Sequence, residues 1–160
     1  MEKLKIVAKK NSKGCEAKFT GLIDESADFS VLKIDTPGVY RFDLEGLTGI
    51  TSNGIREWMI WCQDPKEGVS LVFENVPKIL VDQFNMVVGF LPDYARVDSF
   101  YVPYYSDETG AEKMVLFERG REFDDKSIDA PRHYTDENTG TLLEIDVVEE
   151  AYFQFLKLDR

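Results

Sequence analysis

Residues 51–54 (Thr-Ser-Asn-Gly) carry the clearest chemical signal in this sequence. They follow a strand-like stretch, residues 40–45, and a Gly- and Thr-rich segment, and they place hydroxyl and amide groups before a helical pattern. The first N–H groups of a helix have no partner inside the helix, so side-chain oxygens or a bound phosphate can accept their hydrogen bonds. This 51–54 turn therefore predicts either an ordinary helix cap or a small switch site at which Ser52 accepts a phosphate.

Periodic apolar residues predict the strands that would position the 51–54 turn. Alternation of apolar and charged residues over residues 4–8 and 17–24 predicts two strands paired antiparallel, and residues 39–44 predict a third. The Gly- and Thr-rich residues after the third strand are expected to form a turn. The nearly continuous apolar run at residues 69–73 predicts a strand buried on both faces, and a strand at residues 97–102 closes the set.

A helical pattern follows the 51–54 turn. Apolar residues recur at the i, i+3, i+4 and i+7 spacing that defines one buried helix face; they are Ile55, Trp58, Met59 and Cys62. The pattern predicts a helix over residues 53–63, with Trp61 on the opposite side. An outward indole is either covered by the C-terminal segment or belongs to a surface for a partner or a second copy.

Two further helical segments complete the expected order of elements. Residues 25–33 can hold one or two turns. A later helix is expected to have Asn75 as its cap and Pro77 in its first turn. It should end at about Val88, before Gly89. The order β-β-α-β-α-β-α-β with short connections implies parallel pairs, so the expected fold class is α/β, a mixed sheet with helices packed on it.

Composition indicates a globular protein in a reducing compartment. An apolar fraction of 43% is ordinary for a globular domain, and no apolar run approaches the roughly 18 residues needed to span a bilayer. The charged N-terminal stretch has neither the apolar region nor the cleavage site of a signal peptide. Two cysteines, Cys15 and Cys62, fit a chain without disulfides, so a cytoplasmic protein is expected.

The net charge of −11 limits the partners to be expected. Residues 1–100 carry 15 acids and 12 bases, whereas residues 101–160 carry 15 acids and 7 bases. An acidic surface repels phosphate backbones, so a nucleic-acid partner is not expected. A membrane is not expected either, because no apolar run is long enough to span one. A basic protein partner fits this charge, although a surface charged only for solubility explains it as well.

Three segments of the first hundred residues resemble the STAS domain of sulfate transporters and anti-sigma factor antagonists. The segments are residues 21–24, 42–54 and 69–77, which occur in the family's order with suitable spacing. The resemblance covers roughly residues 3–98 and implies a STAS-like mixed sheet. It also implies an interaction module in signalling or regulation, whose partner is a protein such as a kinase or another regulator.

Antagonists of this family carry a phosphorylated serine in an Asp-Ser-Ser-Gly turn, and the resemblance places Ser52 at that position. A phosphate there would be stabilised by the helix N-terminus and would add about two negative charges to the docking surface. Thr51 stands where the family has Asp, and Asn53 replaces the second serine. The alternative to phosphorylation is that Ser52 chiefly holds the helix end within a docking surface. The residues of that surface are Thr51, Ser52, Asn53, Gly54, Glu57 and Trp61.

Two similar turns lie in the last sixty residues, at 106–110 (Ser-Asp-Glu-Thr-Gly) and 136–140 (Asp-Glu-Asn-Thr-Gly). They resemble the two knuckles of a zinc ribbon, each of which supplies two cysteine ligands. The corresponding positions here are Ser106, Thr109, Asp136 and Thr139, so no metal or other cofactor is expected. The chain looks like a STAS-like domain, residues 1–98, joined to a zinc-ribbon-like β-hairpin extension, residues 99–160, that has lost its ligands.

Without a metal, this extension needs another source of stability, and docking on the first domain through aromatic residues is expected. Those residues are Phe100, Tyr101, Tyr104, Tyr105, Phe117 and Phe123. The capping-box spacing of residues 146–149 predicts a short final helix over residues 151–156, packed on the core.

No catalytic constellation stands out. His133 is the only histidine, Cys62 lies on the expected buried face, and no phosphate-binding loop or nucleophile elbow is present. A non-enzymatic interaction module is therefore the favoured function. Two alternatives stay open: a sensor for a small nucleotide-type ligand, and a structural homodimer built through Trp61 and the aromatic hairpins.

Overall fold

The computed structural model describes residues 2–64 and 66–158 as an α/β structure with two β-sheets and three α-helices. The expected class, a mixed sheet with helices packed on it, is confirmed. A second, antiparallel sheet is built from the later part of the chain. Among the described residues, no helix is both long and apolar enough to cross a membrane.

Five strands form the first sheet in the order β1-β2-β3-β4-β5. They are β1 Lys5–Asn11, β2 Gly14–Ile23, β3 Gly38–Ile50, β4 Val69–Glu74 and β5 Ala95–Val97. β1 pairs antiparallel with β2, and the other three pairs are parallel. The predicted antiparallel start and the parallel pairs that follow it are confirmed.

β3 is much longer than the predicted strand. The Gly- and Thr-rich residues that were expected to form a turn continue the strand to Ile50, so that prediction was wrong. The pairing of β2 with β3 shifts register twice, between Lys18 and Thr20 and between Gly21 and Leu22. Such irregularities accommodate extra residues on one strand without ending it. As a result, β3 delivers the 51–54 turn beside the end of β2.

The helices after β3 and β4 pack on one face of this sheet. They are α1 Ser52–Cys62 and α2 Lys78–Met86. α1 buries Trp58 and Cys62, as its apolar spacing predicted. Residues 25–33 form only a 3-10 helix, Phe29–Val31.

The start of α2 differs from the prediction, because its N-cap residue is Pro77 and Asn75 lies outside the helix. Asn75 has a left-handed φ of 53°, an uncommon conformation for a residue other than glycine. Its amide donates to the Asp43 carboxylate at 3.1 Å, and its N–H donates to the Ser99 hydroxyl at 2.7 Å. Asn75 therefore ties the end of β4 to its neighbours instead of capping a helix.

The second sheet has four antiparallel strands in the order β7-β6-β9-β8. They are β6 Ser99–Tyr105, β7 Glu112–Glu118, β8 His133–Thr135 and β9 Leu142–Ile145. A short helix, α3 Glu149–Tyr152, and a 3-10 helix, Gln154–Leu156, follow. The helix near the C-terminus is confirmed, but it begins earlier than predicted. No side chain caps it, so the predicted capping box was wrong.

The chain passes from the first sheet to the second within one residue, Asp98. β5 ends just before it and β6 begins just after it, so the single strand predicted over residues 97–102 was wrong. The Asp98 N–H donates to the carbonyl of Phe73 in β4 at 2.9 Å. Its carbonyl accepts the N–H of Arg119, which follows β7, at 2.7 Å. The backbone of Asp98 therefore bonds to both sheets.

The Asp98 carboxylate also forms ion pairs with three arginines. Arg96 and Arg119 approach it through Nε at 2.9 and 3.1 Å, and a terminal nitrogen of Arg41 lies at 3.4 Å. These arginines come from β5, from the end of β7 and from β3. The Asp98 side chain is 20% exposed, so water screens these ion pairs only partly.

One hydrophobic cluster runs through both sheets. Phe100 of β6 is fully buried, with its ring centroid 4.9 Å from that of Phe155. The Phe155 ring lies 5.8 Å from that of Phe84 in α2. The carbonyl of Tyr152 accepts the side-chain amide of Asn85, also in α2, at 2.9 Å. The C-terminal turns thus lie between α2 and β6.

We expect the substitution Asp98→Asn to lower the free energy of unfolding by about 2 kcal/mol, because the largely buried Arg119 and the more exposed Arg41 and Arg96 would lose their shared carboxylate. Asp125→Asn is the matched control, since Asp125 also pairs with Arg119, at 2.6 Å, but its side chain is 86% exposed. The control should cost less than about 0.5 kcal/mol. Urea denaturation followed by circular dichroism measures both values, and equal losses would contradict the central position of Asp98.

Candidate functional site

Thr51 caps α1. Its backbone is extended, and its hydroxyl accepts the N–H of Gly54 at 3.0 Å. Its carbonyl accepts the N–H of Ile55 at 2.8 Å. The expectation that Ser52 holds the helix end was therefore wrong, because Ser52 is the first residue of the helix and its neighbour is the cap. Two adjacent hydroxyl residues made the exact cap position ambiguous in the sequence.

Gly54 packs against the end of β2. It is buried, and a Cβ atom added to it would lie 2.0 Å from the carbonyl oxygen of Ile23. The N–H of Thr51 donates to that same oxygen at 2.9 Å. Since any side chain at position 54 would push α1 away from β2, only glycine allows this approach. The backbone at the start of α1 is thus held at Thr51 and at Gly54, on either side of residues 52 and 53.

Ser52 and Asn53 are the exposed residues of the turn. Thr51 satisfies the N–H groups of Gly54 and Ile55. Within the described part of the chain, the N–H groups of Ser52 and Asn53 have no acceptor. Two unpaired backbone donors and an exposed hydroxyl therefore lie at the positive end of the α1 dipole, where they favour a negatively charged or hydrogen-bond-accepting group. Glu57 is half-buried about one turn further along α1.

Asp24 lies beside the turn and was not among the predicted site residues. The Asp24 carboxylate accepts the N–H of Ser26 at 2.9 Å and its hydroxyl at 2.6 Å, and the Lys3 ammonium is 3.8 Å away. The hydrogen bonds from Ser26, and then the Lys3 charge, lower the pKa of Asp24 below its usual value. In the sequence, Asp24 could have been found from its position directly after β2, because the carboxyl ends of neighbouring parallel strands meet at one sheet edge.

Trp61 does not point outward as predicted. Its ring stacks on Phe29 at a centroid distance of 4.5 Å and on Phe42 at 5.6 Å. Its Nε1 donates to the carbonyl of Leu32 at 3.1 Å. The indole is covered by the connection between β2 and β3, and not by the C-terminal segment. Because Trp61 is covered by the chain itself, it does not provide the outward surface on which the predicted homodimer was based.

The two turns that resemble zinc-ribbon knuckles share one backbone geometry. The N–H of Gly110 donates to the carbonyl of Ser106 at 2.8 Å, and the N–H of Gly140 donates to that of Asp136 at 2.7 Å. Both glycines have a left-handed φ, 72° and 70°. The first turn joins β6 to β7 and the second joins β8 to β9. The repeat seen in the sequence is thus a repeat of structure.

Side-chain oxygens accept hydrogen bonds at the four knuckle positions. Thr109 and Thr139 each accept the N–H two residues further on, both at 3.2 Å. Ser106 is buried and accepts the N–H of Thr109 at 3.3 Å. Asp136 accepts the N–H of the residue two positions later and lies 3.7 Å from the ammonium of Lys113 in β7. Within residues 2–64 and 66–158, no group of three or more His, Cys, Asp or Glu could hold a metal ion.

Neither cysteine is prepared to act as a nucleophile. Cys15 and Cys62 are both buried, and burial raises the pKa of each thiol. A thiol with a raised pKa is protonated at neutral pH, whereas the thiolate is the reactive form. This agrees with the prediction that Cys62 is inert.

Comparisons with protein-family models, curated proteins and solved structures found no match for this chain. The function must therefore be inferred from the geometry of its own residues. The feature best suited to recognition is the 51–54 turn, because rigid backbone contacts hold exposed polar groups at a helix start.

We expect Thr51→Ala to lower the free energy of unfolding by about 1 kcal/mol, because the N–H of Gly54 loses its acceptor. Ser52→Ala is the matched control at the next position and should change stability by less than about 0.5 kcal/mol, since Ser52 does not cap the helix. Differential scanning calorimetry measures both changes. A larger loss for Ser52→Ala than for Thr51→Ala would contradict the assigned cap.

Proposed function

We propose that this chain is a non-enzymatic interaction module of the STAS type, acting in cytoplasmic signalling or regulation in the manner of an anti-sigma factor antagonist. Its docking surface centres on Ser52 and Asn53 and extends along α1 past Glu57. The observation that carries the proposal is the fixed start of α1, where Thr51 and Gly54 hold the backbone while the two residues between them stay exposed.

A fixed turn suits recognition by another protein. Groups that are already held in their bound geometry lose little conformational freedom on binding, so more of the contact energy appears as affinity. The unpaired N–H groups of Ser52 and Asn53 favour a partner that presents carbonyl or carboxylate oxygens. Glu57 and the net charge of −11 favour a partner whose surrounding surface is basic.

The same surface would respond to phosphorylation. A phosphate on Ser52 would bring about two negative charges to the centre of the surface, where they would occupy the helix N-terminus that the partner's acceptor would otherwise use. We propose release of the partner as the consequence. Ser52 is exposed, so a kinase could reach its hydroxyl.

The proposed domain organisation follows the two sheets. Residues 1–98 would form the STAS-like domain, and residues 99–160 would descend from a zinc ribbon whose ligands were replaced. Two observations support this origin: the equivalent hydrogen bonds of the two turns, and the Lys113 ammonium beside Asp136, a cation of the chain's own between the hairpins. The aromatic contacts of Phe100 and Phe155 would then supply the stability that a metal gives to other ribbons.

We expect Ser52→Glu to abolish specific retention of a protein partner from an extract of the native host, because the new carboxylate competes for the helix N-terminus and repels an acceptor group. Ser70→Glu is the matched control, since Ser70 is an exposed serine of β4 outside the surface. Immobilised wild-type chain and the two variants are compared by quantitative mass spectrometry, with an expected loss of at least tenfold for Ser52→Glu only.

Two outcomes would contradict the proposal. One is a retained set of proteins that is the same for Ser52→Glu and for the wild type. The other is a rise in melting temperature when a nucleotide is added, because stabilisation of the folded chain by a small molecule identifies a ligand sensor.

A further inference from the structure

β1 is an edge strand with an unusual charge. Among the residues that the structure describes, it pairs with β2 on one side and with no strand on the other. Its sequence, Lys-Ile-Val-Ala-Lys-Lys-Asn, contains three lysines and no acid. Lys5, Lys9 and Lys10 are exposed, and none of them forms an ion pair with a described residue. A strongly acidic chain therefore presents a basic strand with an open backbone edge.

A groove lies beside this edge on the sheet face opposite the helices. It has a volume of about 460 Å³ and extends from β1 across β2 and β3 to Glu74 at the end of β4. Val7 forms part of its wall and is 60% exposed, although it is an apolar residue in a regular strand. The register places Val7 opposite Lys18 and Lys9 opposite Glu16. The groove thus has an exposed apolar residue on its β1 side, and its lining carries charges of both signs.

The arginine of the groove is already neutralised by the chain. Arg41 hydrogen-bonds to Glu74 at 2.8 Å and pairs with Asp98 at 3.4 Å. On the β1 side, Lys9 lies opposite Glu16, whereas Lys5 lies opposite Thr20 and Lys10 opposite Cys15. The positive charge without an acid directly opposite it therefore lies on β1 itself.

An open edge can be used by an added strand, and charge decides which strand fits. Two copies of this chain paired through β1 would bring lysines against lysines, which disfavours a second copy. A neutral strand would gain only the backbone hydrogen bonds. An acidic strand would gain those bonds together with ion pairs to the exposed lysines.

We propose that β1 binds an extended acidic segment of another protein as an added edge strand. The segment carries an apolar residue that contacts Val7 and, on the same face, acidic residues that pair with Lys5 and Lys9. This surface is distinct from the 51–54 turn, because Asn11 pairs with Gly14 at the far end of β2 from Ile23. The same lysines also hinder aggregation of β1 with neutral strand edges. The positive charge of β1 therefore both protects this edge against aggregation and selects an acidic strand.

The test uses a fluorescent peptide with the repeat Glu-Thr-Val-Thr, about as long as β1, which places Glu and Val in turn on the same face of the strand. A Lys-Thr-Val-Thr peptide of equal length is the control ligand. Fluorescence anisotropy measures binding to the full chain. We expect the acidic peptide to bind and the basic peptide not to bind. The double variant Lys5→Glu with Lys9→Glu should weaken binding by about tenfold or more, since two attractions become repulsions.

The matched control variant is Lys33→Glu with Lys66→Glu, which makes the same charge change at exposed positions outside β1. Its effect should be less than about twofold at moderate salt, where distant charges are screened. In the wild type, the peptide should increase protection of the β1 amides against hydrogen exchange.

Three results would overturn the proposal: no binding of the acidic peptide, equal weakening by both double variants, or hydrogen-exchange protection confined to residues outside β1 and β2. Concentration-dependent dimers that the acidic peptide does not dissociate would overturn it as well, because the edge would then belong to a second copy.

Discussion

The whole structure depends on the constraint that the chain leaves one sheet and enters another within a single residue. Asp98 bonds through its backbone to Phe73 on one side and to Arg119 on the other. Its carboxylate then pairs with arginines from three strands or strand ends. Each of these contacts is modest alone, but together they restrict the angle at which β6 leaves β5. That angle decides which aromatic residues of the second sheet can reach the first.

The consequence of this junction is a shared core. Phe100 follows Asp98 by two residues and is fully buried against the C-terminal turns, which in turn contact α2. α2 therefore has partners on both of its long sides, the first sheet and the C-terminal segment. α1 packs on the same sheet, and its start is held locally by the Thr51 cap and by the contact of Gly54 with Ile23, which leaves Ser52 and Asn53 exposed.

Much of the first sheet could be predicted from sequence, because its signals are local. Alternation located β1 and β2, and the i, i+3, i+4, i+7 spacing located α1 and its buried residues. The two knuckles were visible as a repeated Thr-Gly turn, since a left-handed glycine is needed at the same position in both.

The wrong predictions concern features that depend on distant partners. Gly46 and Gly49 suggested a turn, but they lie in β3 because the register shifts against β2 absorb them. Trp61 lies off the apolar face of α1, yet the connection after β2 folds over it and supplies Phe29 and the Leu32 carbonyl. The break at Asp98 depends on arginines up to 57 residues away in the sequence. No local pattern carries such information.

We infer that both sheets form one cooperative unit joined at Asp98, a property that native-state hydrogen exchange measures. The measurement compares the opening free energies of the Phe42 amide in β3 and the Phe100 amide in β6 as urea is raised. We expect both amides to exchange through the same global unfolding, with equal free energies and equal dependence on urea. A lower opening free energy for Phe100, with Phe42 still protected, would show that the second sheet unfolds by itself and would contradict the claim.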